Sequence, residues 1–490
     1  MQLPQLINNL PHYECPDKIT NVNVTGIHYD SRKIKPGNIF VAMRGHKTDG
    51  HHYIAQAIQN GACAIVAETG HQDNSKSIFI HVPDSRYALA CLAQIFYDNP
   101  SQKLCLIGIT GTNGKTTTAY LIENILKANG YQTGVISTIE YRYHNRVVPN
   151  PLTTPESLDL QRVFFEMQSS GVTHVIMEVS SHALALNRVV GCAYDVVVFT
   201  NLTQDHLDFH QTMGDYWQCK QKLFYPPYVE QKENVHAVIN CDDDYGLKLK
   251  DNVQIQKIHV GESATNDIYY QNPDISLSGI SGSICTPKGT LSLQSSLTGH
   301  HNLENILCAT GVGIALDISI DAVLSGISQT LSVPGRLERL TEFTDRYVFV
   351  DYAHTPDALE NVIQSIRQSI TRRLITVFGC GGDRDRGKRP LMGKVAASLS
   401  DVCIITSDNP RSEPPEAIIN DICKGIPDSK SYIVEPDRKK AIELAIIKSC
   451  PEDVVLIAGK GHETYQILNN KTIDFDDRVC ALKSRLLVFS

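Results

Sequence analysis

The chain has 490 residues, more than one hydrophobic core usually supports, and its 42% hydrophobic and 20% charged residues lie near the globular average. Global disorder and a single small domain are therefore excluded. A formal charge of −8 without any basic run gives no indication of a nucleic-acid or anionic-membrane partner. Residues Met1 to Tyr13 lack a basic start and a continuous apolar stretch, so neither a signal peptide nor a membrane span is expected there, and a cytoplasmic protein is. Fourteen cysteines are scattered without a Cys-x-x-Cys pair, which favours reduced, mostly buried thiols.

In chain order, apolar runs at 62–67 and 78–82 read as strands of a small N-terminal α/β unit, and Asn99-Pro100-Ser101 reads as a linker. From residue 103 buried runs alternate with amphipathic stretches. A strand at 104–110, the turn 111–114, a helix at 115–129 that Gly130 can end, and a strand at 133–137 make one βαβ unit. Further buried strands are expected at 174–179, 196–200 and 237–240, each followed by polar residues at the edge where open α/β sheets bind ligands. The Ser/Gly-rich stretch 275–299 reads as antiparallel strands or loops. A hinge is expected at 332–336, and the α/β rhythm then restarts with strands at 348–350, 374–378, 402–406 and 454–458. The expectation is an α/β protein of three domains: 1–100, a central phosphate-loop domain with a mostly parallel sheet at 101–334, and a Rossmann-like domain at 335–490.

Gly111-Thr112-Asn113-Gly114-Lys115-Thr116, between strand and helix, offers backbone N–H groups, a helix N-terminus and an ammonium to a triphosphate. The strict Walker spacing would need glycine at 109, where the chain has Ile109. An ordinary glycine turn is the bland alternative, but strand, turn, Lys-Thr and helix stand together in the order that phosphate binding needs. The Thr116 hydroxyl is suited to Mg²⁺, and Glu178, ending a strand, can bring a carboxylate to the same ion. Asn201 to Asp208 follows another strand and adds His206. A His206/His210 zinc pair fits by spacing but lacks a third ligand.

TGTNGKTTT at 110–118, EVSSHAL at 178–184 with Arg188, NLTQDHLDFH at 201–210, GHHNLENILCA at 299–309 and YAHTPDAL at 352–359 together resemble the Mur ligase family over nearly the whole chain. The resemblance implies an ATP-dependent amide ligase of cytoplasmic peptidoglycan-precursor synthesis, two Mg²⁺ ions, and a monomer. By the same resemblance Gly111 to Thr117, Asn302, Arg336 and Asp351 would bind ATP, with Lys115, Glu178, His206 and Lys220 in the chemistry. Lys220, in YWQCKQKLF at 216–224, stands where the family carries a carbamylated lysine; Thr116, Glu178, His206 and that carbamate would serve the metal. Lys222 is the nearby residue a motif search could confuse with it.

DSRKIKPGNIFVA at 30–42 is similar to the family's uracil-nucleotide segment. It implies that Tyr29, Ser31, His46, Lys47 and Thr48 contact the UDP end, with Thr153, Thr154, Ser180 and Arg188 at the peptide end of UDP-N-acetylmuramoyl-L-alanyl-D-glutamate. Leu152 and Leu186 replace polar residues of relatives. Asp408-Asn409-Pro410-Arg411, with Arg384, Gly459 and Glu463, resembles the signature of ligases that select meso-diaminopimelate. Arginines offer forks for carboxylates and a glutamate a partner for an ammonium. The basic residues 385–389 are expected in a solvated loop. A lysine-adding ligase shares the reaction without the Arg411 motif. A folylpolyglutamate-type ligase is disfavoured by the DSR and AGKGHE segments, and a nucleotide switch would hydrolyse ATP without needing acceptor and amine together.

Overall fold

The computed structural model describes residues 1–15, 21–45, 48–70, 77–150, 152–469 and 471–488. His46 and Lys47 lie outside them. Three α/β sheets follow one another along the chain. The first has four parallel strands in sequential order, Gly26–His28, Asn38–Val41, Ala64–Ala67 and Ile78–His81. Two of these, at 26 and 38, are not foreseen in the sequence, because each is only three or four residues long and the second directly follows Pro36-Gly37.

The central sheet has eight strands. Its order runs Gln256–Val260, His236–Asn240, Val196–Phe199, Cys105–Thr110, His174–Glu178, Thr133–Ile136, Glu140–Tyr143 and Arg146–Pro149. All pairings are parallel except those of the last two strands, a polar hairpin whose alternation is too short to read in advance. The parallel strands are buried on both faces, as helix-covered sheets require. Alternate residues serve opposite layers: Leu106, Val175 and Val197 face one core, Ile107, Ile176 and Val198 the other. Each such side chain contributes roughly 1.5–3 kcal/mol on full burial, which gives the sheet edge a rigid base.

The strand Cys105–Thr110 lies between Val196–Phe199 and His174–Glu178, so the chain leaves it at a topological switch point. The helix Lys115–Ala128 follows. It ends in a Schellman turn, with Gly130 at φ 84°, its N–H on the Lys127 carbonyl and that of Tyr131 on the Leu126 carbonyl. The stretch expected as loops or antiparallel strands forms a three-stranded antiparallel sheet, Tyr269–Ser276, Gly279–Thr286 and Gly289–Ser295.

The C-terminal sheet is ordered Glu338–Arg339, Tyr347–Asp351, Val454–Ala458, Leu374–Phe378, Val402–Ile405 and Ile433–Val434, parallel apart from its first strand. Two expectations are corrected. The solvated loop expected at 385–389 holds only for the exposed residues 385–387: Lys388 opens the helix Lys388–Leu399, and Arg389 has no exposed side chain, because its guanidinium is paired with Glu413 at 2.7 Å and Asp421 at 3.1 Å. All fourteen cysteines are free, but only six are buried, since many sit on half-covered helix and strand faces.

Candidate active site

The phosphate loop owes its shape to close backbone approach. A Cβ on Gly111, at φ 151°, would lie 1.9 Å from Thr200 Oγ1, and one on Gly114, at φ 84°, would lie 2.2 Å from Asn305 Oδ1. Thr200 in turn donates to the Asn113 carbonyl at 2.7 Å, and Asn113 N–H donates to Asn201 at 2.9 Å. Residues after the neighbouring strand thus shape the loop from one side. Asn302 supports it from the other, accepting from Asn305 at 3.1 Å. Asn305 is a residue the sequence reading passed over; its position three residues after Asn302 on one helix face was the available signal.

Lys115 Nζ donates to the Gly111 and Thr112 carbonyls at 2.8 and 2.7 Å, and Lys220 Nζ donates to the same Gly111 carbonyl at 2.6 Å. Burial pushes both lysines down; for Lys220 the Lys115 charge adds to the effect, and its pKa falls well below the usual lysine range. Lys222, by contrast, is exposed. Two amino groups converging on one carbonyl, with no carboxylate between them, form a site suited to an anion.

Glu178 is fully buried and accepts from Thr116 Oγ1 at 2.8 Å, Thr138 N–H at 3.1 Å and Thr138 Oγ1 at 2.9 Å. Thr138, also absent from the sequence reading, comes from the turn after Thr133–Ile136. His206 has φ 53° and stands 3.4 Å from Asp205. Desolvation in the cavity pushes its imidazole down to about 4, against the attraction of Asp205. The hydroxyl and carboxylate oxygens of Thr116 and Glu178 are a hard donor pair that fits Mg²⁺. Among the described residues no group of three or more His, Cys, Asp or Glu could by itself hold a metal, the zinc pair included.

The C-terminal unit docks on this loop. Arg336 Nη2 donates to Thr116 Oγ1 at 3.2 Å, and Asp357 accepts from Thr203 at 2.8 Å. Gly335, at φ 65°, packs where a Cβ would meet His462 N at 2.1 Å. Burial raises the pKa of Asp351, which accepts from Leu337 and Ala353 N–H and faces Arg336. Between the two units lies a cavity of about 570 Å³ lined by Asn113, Lys115, Lys220, His301, Arg336 and Asp351 among others.

Beside it, Thr153 and Thr138 share a hydroxyl hydrogen bond of 3.1 Å. Thr154 donates to the Glu178 carbonyl at 2.8 Å and accepts from Ser180 N–H at 3.1 Å. Arg188 donates to the Thr154 carbonyl at 3.2 Å and pairs with Glu156, which also holds Arg86. Leu152 is exposed and Leu186 half-buried. Further out, Tyr29 donates to Asp159 at 2.6 Å and the buried Ser31 to Gln56 at 2.7 Å, while Thr48 is exposed.

At the carboxyl edge of the C-terminal sheet, Asn409 donates to Glu463 at 2.8 Å and accepts from Lys460 at 3.2 Å; Lys460 also pairs with Glu463 at 2.9 Å and is fully buried. Lys460 was missed in the sequence, where nothing but its place in AGKGHE marked it. Asp408 is buried beside Gly459, and Pro410 accepts from Glu413 N–H. Arg411, at φ 54°, donates from Nη1 to the Gly382 carbonyl at 2.7 Å. Arg384 is exposed and flanks Gly381 together with Arg411. A fork, a carboxylate and their supports therefore share one edge.

The sequence matches the Mur ligase family catalytic domain over 23–97, the Mur ligase middle domain over 109–313 and the Mur ligase glutamate ligase domain over 335–461. It is 44% identical over 475 residues, 93% of each chain, to the UDP-N-acetylmuramoyl-L-alanyl-D-glutamate–2,6-diaminopimelate ligase of Geobacter metallireducens. To the same-named ligase of Solibacter usitatus it is 45% identical, covering 98% of this chain and 97% of the relative. A solved structure of a ligase of that name superposes with a TM-score of 0.71 at 32% identity, covering all of both chains.

Proposed function

The chain belongs to the Mur ligase family, and from that premise we propose that it joins meso-2,6-diaminopimelate to the D-glutamyl γ-carboxylate of UDP-N-acetylmuramoyl-L-alanyl-D-glutamate, consuming ATP. The observation that carries the reading is the docking of the C-terminal sheet edge on the phosphate loop, through Arg336 on Thr116 and Asp357 on Thr203. It sets an amino-acid edge against a phosphate site.

A carboxylate does not acylate an amine unaided. In the reaction proposed, a γ-carboxylate oxygen attacks the γ-phosphorus of ATP and ADP leaves; the amine then attacks the acyl carbon, phosphate leaves, and the new amide nitrogen gives up a proton. Loop N–H groups and Lys115 bind the phosphates, and Arg336 offsets charge as the phosphoryl group moves. Thr116 and Glu178, with His206 and a carbamate on Lys220, would hold Mg²⁺, which supplies further charge neutralisation when bound. Thr153, Thr154, Ser180 and Arg188 hold the peptide end of the nucleotide, with Tyr29, Ser31 and Thr48 toward its UDP end. Arg411 and Arg384 pair with carboxylates and Glu463 with an ammonium of diaminopimelate. The docked C-terminal unit excludes water from the acyl phosphate. Among the described residues no helix is long and apolar enough to cross a membrane.

Phosphate release measured across combinations of substrates tests this. Release should require ATP, the nucleotide precursor and diaminopimelate together. Equal release with ATP alone would make the chain a hydrolytic switch.

A further inference from the structure

Arg438 and Asp477 form an ion pair in which neither side chain is exposed, with Nε on Oδ1 and Nη2 on Oδ2, both at 2.7 Å. Each opens a helix, Arg438–Lys448 and Asp477–Val488. The same guanidinium donates from Nη1 to the Ser407 carbonyl at 3.3 Å and from Nη2 to the Ala458 carbonyl at 3.0 Å. Ser407 immediately precedes the loop Asp408 to Arg411. Ala458 immediately precedes Gly459 to Glu463. These are the two loops assigned above to diaminopimelate.

The strands that lead into them, Val402–Ile405 and Val454–Ala458, are not neighbours: Leu374–Phe378 runs between. No backbone ladder joins these two strands, and the loops beyond them meet only through side chains, Asn409 on Glu463 and Lys460 on Asn409. Arg438 spans that gap from below, with a planar fork that one ammonium could not reproduce. A buried ion pair usually adds little net stability over an apolar pair of the same volume, so stability alone does not account for it. We infer that Arg438, held by Asp477, is a positioning residue that sets the separation of the two loops and so the fit of the amino-acid substrate. The inference rests on the reading of these loops as the diaminopimelate site.

The test uses the full enzyme with ATP, nucleotide precursor and diaminopimelate, comparing wild type with the volume-conserving double variant Arg438→Met/Asp477→Leu and with Arg438→Lys. Thermal melting reports folding. In folded variants the KM for diaminopimelate should rise about tenfold or more, since small displacements of binding groups are costly, while the KM values for ATP and nucleotide stay within about twofold. An unchanged KM for diaminopimelate, or three KM values rising together, overturns the inference. If neither variant folds, the pair is a stability element and the inference fails as well. Wild type without diaminopimelate-dependent turnover would instead overturn the assignment of the site.

Discussion

Lys115 and Lys220, 105 residues apart in the chain, both donate to the Gly111 carbonyl, at 2.8 and 2.6 Å. Their meeting depends on Gly111, whose backbone lies too close to Thr200 for any side chain. Neither amino group has a carboxylate among these partners, and burial together with the Lys115 charge weakens the hold of Lys220 on its proton.

Lys220 is therefore disposed to react with CO₂, its neutral amine forming an N–C bond and releasing a proton to leave a carbamate. Replacing it by alanine should abolish most ligation, and added formate or acetate should restore part of it by returning an anion. Lys222→Ala, at an exposed position, should stay within about twofold of wild type. Chemical rescue kinetics check this; equal losses in both variants would contradict it.

Arg336 reaches Thr116 across the interface, so Arg336→Ala should lower kcat/KM by about 10²-fold or more, as expected for a donor acting on transferring charge. Melting temperature should change little, since the side chain is only half-buried. Phosphate-release kinetics and a melt of the same variant check both parts.

Much of this was legible locally. The phosphate loop, its helix and the Gly130 stop are encoded within twenty residues, and Lys220 against Lys222 was separable through the family resemblance. What was not legible depends on distant partners. Thr138 meets Glu178 across 40 residues, Asn305 lies beside Gly114, and Lys460 meets Asn409 across 51. The periodicity of a single segment carries no trace of such contacts. Arg389 was misread for the same reason, its partners Glu413 and Asp421 lying on later elements.

Acid should destabilise the nucleotide-free protein. Burial pushes His301 down to about 4 and His462 down to about 3, from an ordinary value of 6.5. The unfolded chain then binds more protons than the folded one below that ordinary value. Stability is present above about pH 6.5 and is lost as pH falls through the folded values. Melting temperature measured from about pH 7.5 to about pH 5 should fall, and His301→Asn should make the fall shallower. An unchanged slope in the variant would contradict the assignment.

Arg411→Ala should lower kcat/KM with diaminopimelate far more than with lysine, because lysine lacks the second carboxylate that the fork would pair. Arg411→Lys should not restore it fully. Parallel kinetics with both amines check this, and an unchanged ratio would remove Arg411 from the specificity account.

The most direct measurement is a competition. The enzyme is given ATP, the nucleotide precursor and equal concentrations of diaminopimelate and lysine, and the products are identified by mass. A site built to pair a charged group rejects an analogue without it by about 10⁴-fold or more, against about 10²-fold for shape alone. The account predicts the diaminopimelate adduct almost exclusively, with one ADP formed per amide; comparable amounts of the lysine adduct, or ADP without amide, would contradict it.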